Sequence, residues 1–220
     1  MSAEPDHHLV LSNDYVNAYD VEVPPKGSTL LHQHLYDNIF VVLGADDITN
    51  LVEGKASVHL NPTESSVNFG RAPYTQLITN NGTKPFRNVM IEFVQPQSEV
   101  KDFYKSVADA LAAAATDENG LKQNAVLESD AVRVLGIGIP RDGVWIAPSD
   151  GQARFVVVLD DASSATKRKT KNSPNSPSSA GAVVWFDGSE TDGIANESAQ
   201  PVRLMVLEFK QSQGQATARL

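Results

Sequence analysis

Most segments of the chain between Leu9 and Phe93 alternate apolar and polar residues, or form short β-branched runs bounded by Gly, Pro and Asn. A period of two places successive side chains on opposite faces of a strand, so this pattern predicts antiparallel β-strands. The run from Ile39 to Leu43 is apolar throughout and is expected to be buried on both faces. Similar segments recur between Val132 and Phe209, so both halves of the chain are predicted to be all-β.

One segment between the two halves has a different period. From Ser98 to Thr116, apolar residues recur at steps of three and four, which is typical of an amphipathic helix. Ser98 is a plausible N-cap and Gly120 follows the predicted end. We therefore expect one helix that joins the two halves.

The chain also repeats itself at a constant shift of 116 residues. Apolar, turn and polar positions at both ends of the first half return in the second. The matched pairs include Pro24 with Pro140, Gly27 with Gly143, Asn80 with Asn196, Arg87 with Arg203, and Glu92 with Glu208. The repeat predicts a first domain at 1–96, a linking helix at 97–120 and a second domain at 121–220.

Composition limits the chemistry and the partners. The chain has 220 residues, a net charge of −9 and no cysteine, so a thiolate metal site and a cysteine nucleophile are excluded. An acidic chain is a poor ligand for nucleic acid, and no apolar run reaches the roughly 20 residues that span a bilayer. We expect a soluble monomer or homodimer that binds a small molecule, with its compartment left open.

Two histidines at alternate positions are the main candidates for chemistry. His32 and His34 follow a proline-glycine turn, and residues two apart in a strand point to the same face. Asp37 is close enough to return a carboxylate to the same point if the chain bends. Two imidazoles and a carboxylate suit a divalent ion such as iron, manganese, nickel or zinc.

The second copy lacks these residue types, so the chemistry is predicted to lie in the first. The substitutions are His32 to Pro148, His34 to Asp150, Asp37 to Ala153 and Gln76 to Asp192. Residues kept in both copies, such as Arg87 and Glu92, are interpreted as scaffold or interface residues. Trp145 and Trp185 are expected to fill the core of the second copy.

At these positions the sequence resembles the cupin superfamily, and its duplication resembles a bicupin. The first cupin motif has its glycine, two histidines, acid and second glycine at Gly27, His32, His34, Asp37 and Gly44. In the second motif Asn80 matches, whereas Gln76 stands at the position of the third histidine. Ser65, Arg71 and Pro73 replace the motif's glycine, proline and glycine. The resemblance implies two tandem double-stranded β-helix (jelly-roll) barrels, with His32, His34, Asp37 and Gln76 as metal ligands in the first.

Three functions remain open under this resemblance. The first is a metal-dependent oxygenase, isomerase or lyase in which Arg71 and Tyr74 orient a small organic substrate. The second is a metal-free protein that binds a small molecule or carbohydrate through the same residues. The third is a structural or interaction role. His7 and His8 lie in a polar terminal segment and are expected to be exposed rather than ligands.

Overall fold

The computed structural model describes residues 4–44, 47–97, 104–161, 166–168, 179–189 and 193–210. The chain divides into two compact units. Unit 1 contains the described residues up to 97 together with 104–106, and unit 2 contains those from 107 onward. Strands dominate both units, as the alternating sequence pattern predicts.

The described part of unit 1 contains ten strands. They are β1 His7–Ser12, β2 Val16–Val23, β3 His32–His34, β4 Asn38–Gly44, β5 Ile48–Val52, β6 Val58–Leu60, β7 Ser66–Gly70, β8 Tyr74–Asn80, β9 Phe86–Phe93 and β10 Tyr104–Ser106. Six of them form one sheet in the order β1-β2-β9-β4-β7-β10, and four form a second sheet in the order β3-β8-β5-β6. The described strands thus form two separate sheets, as in a jelly roll.

An apolar cluster joins the two sheets of unit 1. Val23, Val42 and Phe86 come from the larger sheet, and Ile48 and Ile78 come from the smaller one. All five side chains are at most 9% exposed, and burying each contributes roughly 1.5–3 kcal/mol. The register of β2 against β9, from Val16 opposite Phe93 to Val23 opposite Phe86, sets which residues face inward.

The described part of unit 2 repeats the plan with eight strands. They are β11 Lys122–Glu128, β12 Val132–Ile139, β13 Val144–Ile146, β14 Arg154–Val158, β15 Thr166–Arg168, β16 Val183–Phe186, β17 Gly193–Asn196 and β18 Val202–Phe209. The sheets run β11-β12-β18-β14-β16 and β13-β17-β15. The pairs β2 with β12 and β9 with β18 are related by the same shift of 116 residues that the sequence shows.

A buried asparagine closes the same corner in both units. The Asn80 side chain donates to Val23 O at 3.0 Å and Lys84 O at 2.8 Å, and it accepts from Gly82 N at 2.9 Å. Asn196 donates to the equivalent carbonyls of Ile139 and Gln200, at 3.1 and 2.8 Å. The repeat is therefore a repeat of hydrogen bonding as well as of sequence.

The helix is shorter than the sequence predicts. Its described extent, α1, is Val107–Ala112, and the preceding residues form β10, which pairs with β7. Residues 98–103, where the helix was predicted to begin, lie outside the described residues. Strand pairing has overridden the helical period at Tyr104–Ser106. No helix among the described residues has the length and apolar character needed to cross a membrane.

Candidate functional site

The short strand β3 presents both predicted histidines to the interior of unit 1. His32 is 8% exposed and His34 is fully buried, while Gln33 between them faces outward. Pairing of β3 with β8 sets Gln76 opposite His32. The His32 and His34 Nε2 atoms are 3.1 Å apart, and the Gln76 amide nitrogen is 3.0 Å from His34 Nε2. Three of the four predicted ligands therefore converge on one point.

The outer nitrogen of each imidazole faces an oxygen. His32 Nδ1 lies 2.8 Å from Leu30 O and 3.6 Å from a carboxylate oxygen of Glu4. His34 Nδ1 lies 3.8 Å from Glu92 Oε1, on β9. Both carboxylate side chains are at most 3% exposed. Oxygens in these positions orient metal-binding histidines in many proteins.

This arrangement constrains the protons on the two rings. A carbonyl oxygen only accepts, so His32 Nδ1 carries the hydrogen that it shares with Leu30. Burial holds the pKa of His32 below its ordinary value, so the ring is neutral and its Nε2 bears a lone pair. Glu92 Oε1 lies 3.8 Å from His34 Nδ1, beyond hydrogen-bond distance, so it acts on this ring only through its charge. If His34 also carries its hydrogen on Nδ1, its Nε2 accepts from the Gln76 amide, and the two Nε2 atoms lie 3.1 Å apart, a spacing that a shared cation or proton could bridge.

His7 is a third imidazole at this point, contrary to the sequence-based expectation that it is exposed. Pairing of β1 with β2 at the edge of the larger sheet brings its ring centroid within 4.9 Å of His32 and 6.5 Å of His34. Its Nδ1 is buried and has no hydrogen-bond partner in the described structure. Burial, with a smaller contribution from the two neighbouring imidazoles, lowers the pKa of His7 to about 3. His8 is exposed, as expected.

Asp37, the fourth predicted ligand, has partners other than the histidines in this structure. Its carboxylate accepts hydrogen bonds from Arg71 Nη1 at 2.7 Å, Ala72 N at 2.9 Å and Gln97 N at 3.1 Å. Arg71 is itself bound to Gln97 O and lies over the Phe69 ring. In this structure the Asp37 carboxylate is therefore bound to Arg71 and to two backbone N–H groups, and Arg71 Nη1 is bound to Asp37 and Gln97 O.

Tyr74 lies in the site but supports His34. Its ring stacks on the His34 ring with centroids 4.6 Å apart, and its hydroxyl donates to Asn38 Oδ1 at 3.2 Å. Burial raises the pKa of Tyr74 to about 12, so the phenol stays protonated at neutral pH. Gly70 makes this contact possible, because a Cβ there would lie 2.7 Å from both the Tyr74 hydroxyl and Asn38 Oδ1.

A cavity of about 300 Å³ opens beside the histidines, between the two sheets. His7, His32 and Gln76 line one part of it, and Val23, Phe40, Ile48, Ile78 and Phe86 line another. The volume is at the lower end of the range for small-molecule sites. None of the described residues that line this cavity is Asp, Glu, Lys or Arg.

The equivalent region of unit 2 is filled differently. Arg154, at the position of Asn38, is 1% exposed and bonds Glu208 Oε1 at 3.0 Å and Asp150 Oδ2 at 2.7 Å. Trp145 is 5% exposed in the core cluster of this unit, as predicted, whereas Trp185 is half-buried beside Phe209. A space of about 280 Å³ remains beside Trp145 and Glu208. Unit 2 has no histidine at these positions.

The donor set of unit 1 is compatible with a divalent ion. Two imidazole nitrogens 3.1 Å apart can share an ion at the roughly 2.0–2.1 Å usual for such ligands. The Gln76 amide can turn its oxygen inward, since its two ends are nearly isosteric. No group of three or more His, Asp or Glu side chains among the described residues is arranged to hold an ion. Any ion would therefore depend on two imidazoles and an amide, with His7 nearby.

Solved structures with the same fold have very different sequences. A putative glyoxylate-induced protein from Pseudomonas aeruginosa is 13% identical with a TM-score of 0.68, covering 95% of this chain and 80% of its own. A salicylate 1,2-dioxygenase from Pseudaminobacter salicylatoxidans is 9% identical with a TM-score of 0.63, covering 92% and 76%. A cupin 2 conserved barrel domain protein from Leptotrichia buccalis is 7% identical with a TM-score of 0.59, covering 93% and 88%. No protein-family model and no curated protein sequence matches the chain.

The two facing sheets and the repeated corner define a duplicated jelly-roll protein with a histidine-lined cavity in one copy. The chain has the fold of the cupin 2 barrel protein, and the 116-residue repeat of its sequence relates strands of its two units. Fold alone does not choose an activity.

Proposed function

We propose that unit 1 is a metal-dependent enzyme that acts on a small organic molecule in the cavity beside His32 and His34. The ligands are His32, His34 and Gln76, with His7 as an additional imidazole, and the ion is iron, manganese, nickel or zinc. A divalent ion bound there would polarise a substrate oxygen or activate water or dioxygen. The neighbouring folds include the salicylate dioxygenase, which supports chemistry on a small molecule without choosing the reaction.

The observation that carries this proposal is the pair of opposed Nε2 atoms. The outer nitrogen of His32 donates to Leu30 O, so its inner Nε2 presents a lone pair toward His34 Nε2. The buried carboxylates of Glu4 and Glu92 each lie beside one imidazole of the pair, and Glu4 also accepts from Leu30 N. Two buried negative charges near two neutral rings are stabilised by a doubly charged cation.

The surrounding residues have distinct roles in this site. Leu30 O and Glu4 fix the His32 ring, and Glu4 is itself held by Leu30 N at 2.7 Å. Tyr74 keeps the His34 ring in place by stacking. The apolar wall excludes water from the substrate, which strengthens polar interactions at the histidine end.

Elemental analysis of protein purified without a histidine tag tests this proposal. We expect about one divalent ion per chain, lost in His32→Ala and His34→Ala. The matched control is His59→Ala, because His59 is exposed and pairs only with Asp47 at 3.1 Å. A chain that stays free of metal after incubation with each of the four ions would refute the proposal.

A metal-free binding protein is the second candidate, and one observation favours it. The contacts of His32, His34 and Gln76 also form a continuous hydrogen-bonded chain if one ring carries its proton on Nε2. The same cavity would then bind a small molecule or carbohydrate through these polar groups. This alternative predicts ligand binding that is unchanged by a chelator.

A further inference from the structure

The described residues that line the cavity in unit 1 all lack a formally charged carboxylate, ammonium or guanidinium group. Its described residues are apolar, aromatic, carboxamide, hydroxyl or imidazole, and none carries a formal side-chain charge of the Asp, Glu, Lys or Arg type. Arg71, the guanidinium nearest in sequence to β8, is held by Asp37 and Gln97 O. A ligand carboxylate would therefore find no side-chain cation in this wall.

The charges around the histidines are also balanced without a ligand. This step rests on the proposed function, in which a divalent ion lies between His32 and His34. Its two positive charges are offset by Glu4 and Glu92, whose side chains are at most 3% exposed. An anionic ligand would add an uncompensated negative charge to an apolar space, which is costly. A neutral ligand adds none.

The carboxamides indicate what the ligand should offer. Asn50, Asn68 and Asn88 reach the cavity from β5, β7 and β9, so amides line it from both sheets. The Asn50 side-chain oxygen is buried and has no hydrogen-bond partner in the described structure. A buried acceptor of this kind is stabilised when a ligand N–H or O–H donates to it.

We infer that the cavity of unit 1 selects an uncharged ligand with an apolar body and at least one hydrogen-bond donor, and discriminates against the corresponding carboxylate. Phe40 and Phe86 supply the apolar contacts, and Asn50 accepts from the donor. The selection comes from the wall and from the charge balance of the buried glutamates.

Isothermal titration with matched probes tests this inference. The probes are benzamide against benzoate and salicylamide against salicylate, each titrated at pH 7 into full-length protein whose metal content is measured on the same sample. We expect the amide of each pair to bind about tenfold or more tightly than its carboxylate. In Asn50→Leu the amide should lose several-fold in affinity, whereas Leu51→Ala, an exposed change on the same strand, should leave it unaltered.

The outcomes separate this inference from the proposed function. The inference is overturned if the carboxylates bind more tightly than the amides, or if none of the four probes binds. An amide preference in protein that takes up no metal sustains the inference and sinks the metal-dependent enzyme. A carboxylate preference in metal-loaded protein overturns the inference and leaves the proposed metal-dependent enzyme supported.

Discussion

Replacing Asp37 by alanine should destabilise unit 1 without releasing a metal ion. The change removes the acceptor of three hydrogen bonds, from Arg71, Ala72 N and Gln97 N. Leaving the buried Gln97 amide unpaired costs roughly 1–3 kcal/mol. The Arg71 side chain is 41% exposed, so its ion pair adds at most about 1 kcal/mol. We expect the free energy of unfolding to fall by about 2–4 kcal/mol.

Thermal unfolding followed by circular dichroism measures this change, and metal content on the same samples measures ligation. For a unit of this size the loss corresponds to a fall on the order of 10–20 °C in the midpoint. The control is Glu22→Ala, a 52% exposed carboxylate that pairs with Arg87 and should alter stability by less than about 0.5 kcal/mol. Loss of metal from Asp37→Ala at unchanged stability would show that Asp37 is a ligand and refute the reasoning.

Three further changes test other parts of the structure. Gly70→Ala should push Tyr74 off His34, which should weaken metal uptake by about tenfold or more and lower the free energy of unfolding by about 1–3 kcal/mol. In the control Gly44→Ala the new Cβ would lie 4.0 Å from its nearest neighbour, so neither property should change. Equal effects in both variants would contradict the packing of Tyr74 on His34. Arg154→Met should lower the free energy of unfolding by about 3 kcal/mol, because it leaves Glu208 without its partner. The exposed control Arg141→Met should change it by almost nothing, and urea unfolding measures both variants. Equal urea midpoints would argue against a buried ion cluster. Hydrogen bonds from Arg154 hold the pKa of Asp150 below its ordinary value, so ionised Asp150 stabilises the fold at neutral pH and this stabilisation is lost as pH falls through the lowered pKa. Asp150→Asn should therefore reduce the fall in stability at acid pH. An unchanged fall would show that Asp150 is not its source.

The strands were the predictable part of this fold. The alternating pattern and its punctuation predicted strands between Leu9 and Phe93 and between Val132 and Phe209, and β2 to β9 and β12 to β18 lie in these ranges. The length of the linking helix was not predictable, because Tyr104–Ser106 pair with β7. The local spacing of apolar residues does not indicate a partner that is distant in the sequence. Sequence periodicity shows which face of an element is apolar, whereas the strand that pairs at the edge of a sheet depends on residues far away in the sequence.

The site was only partly predictable for the same reason. His32 and His34 share a face by strand geometry alone, and the resemblance to the second cupin motif pointed to Gln76. His7 comes from another strand at the sheet edge, and only its doublet with His8 stood out in the sequence. Glu92 was interpreted as scaffold because it recurs as Glu208; in unit 2 that residue bonds a buried arginine, whereas in unit 1 it faces an imidazole.

The buried guanidinium of unit 2 limits how chemistry could be restored to that copy. Grafting a histidine at position 150 would set an imidazole beside Arg154, whose fixed positive charge opposes both ring protonation and the arrival of a metal cation. Position 154 would have to revert to a small neutral residue before any ligand were introduced, as Asn38 is in unit 1. The order of substitutions is therefore set by electrostatics: a redesign that starts with the ligands meets a buried positive charge, and one that first removes the arginine must also neutralise Glu208, its partner.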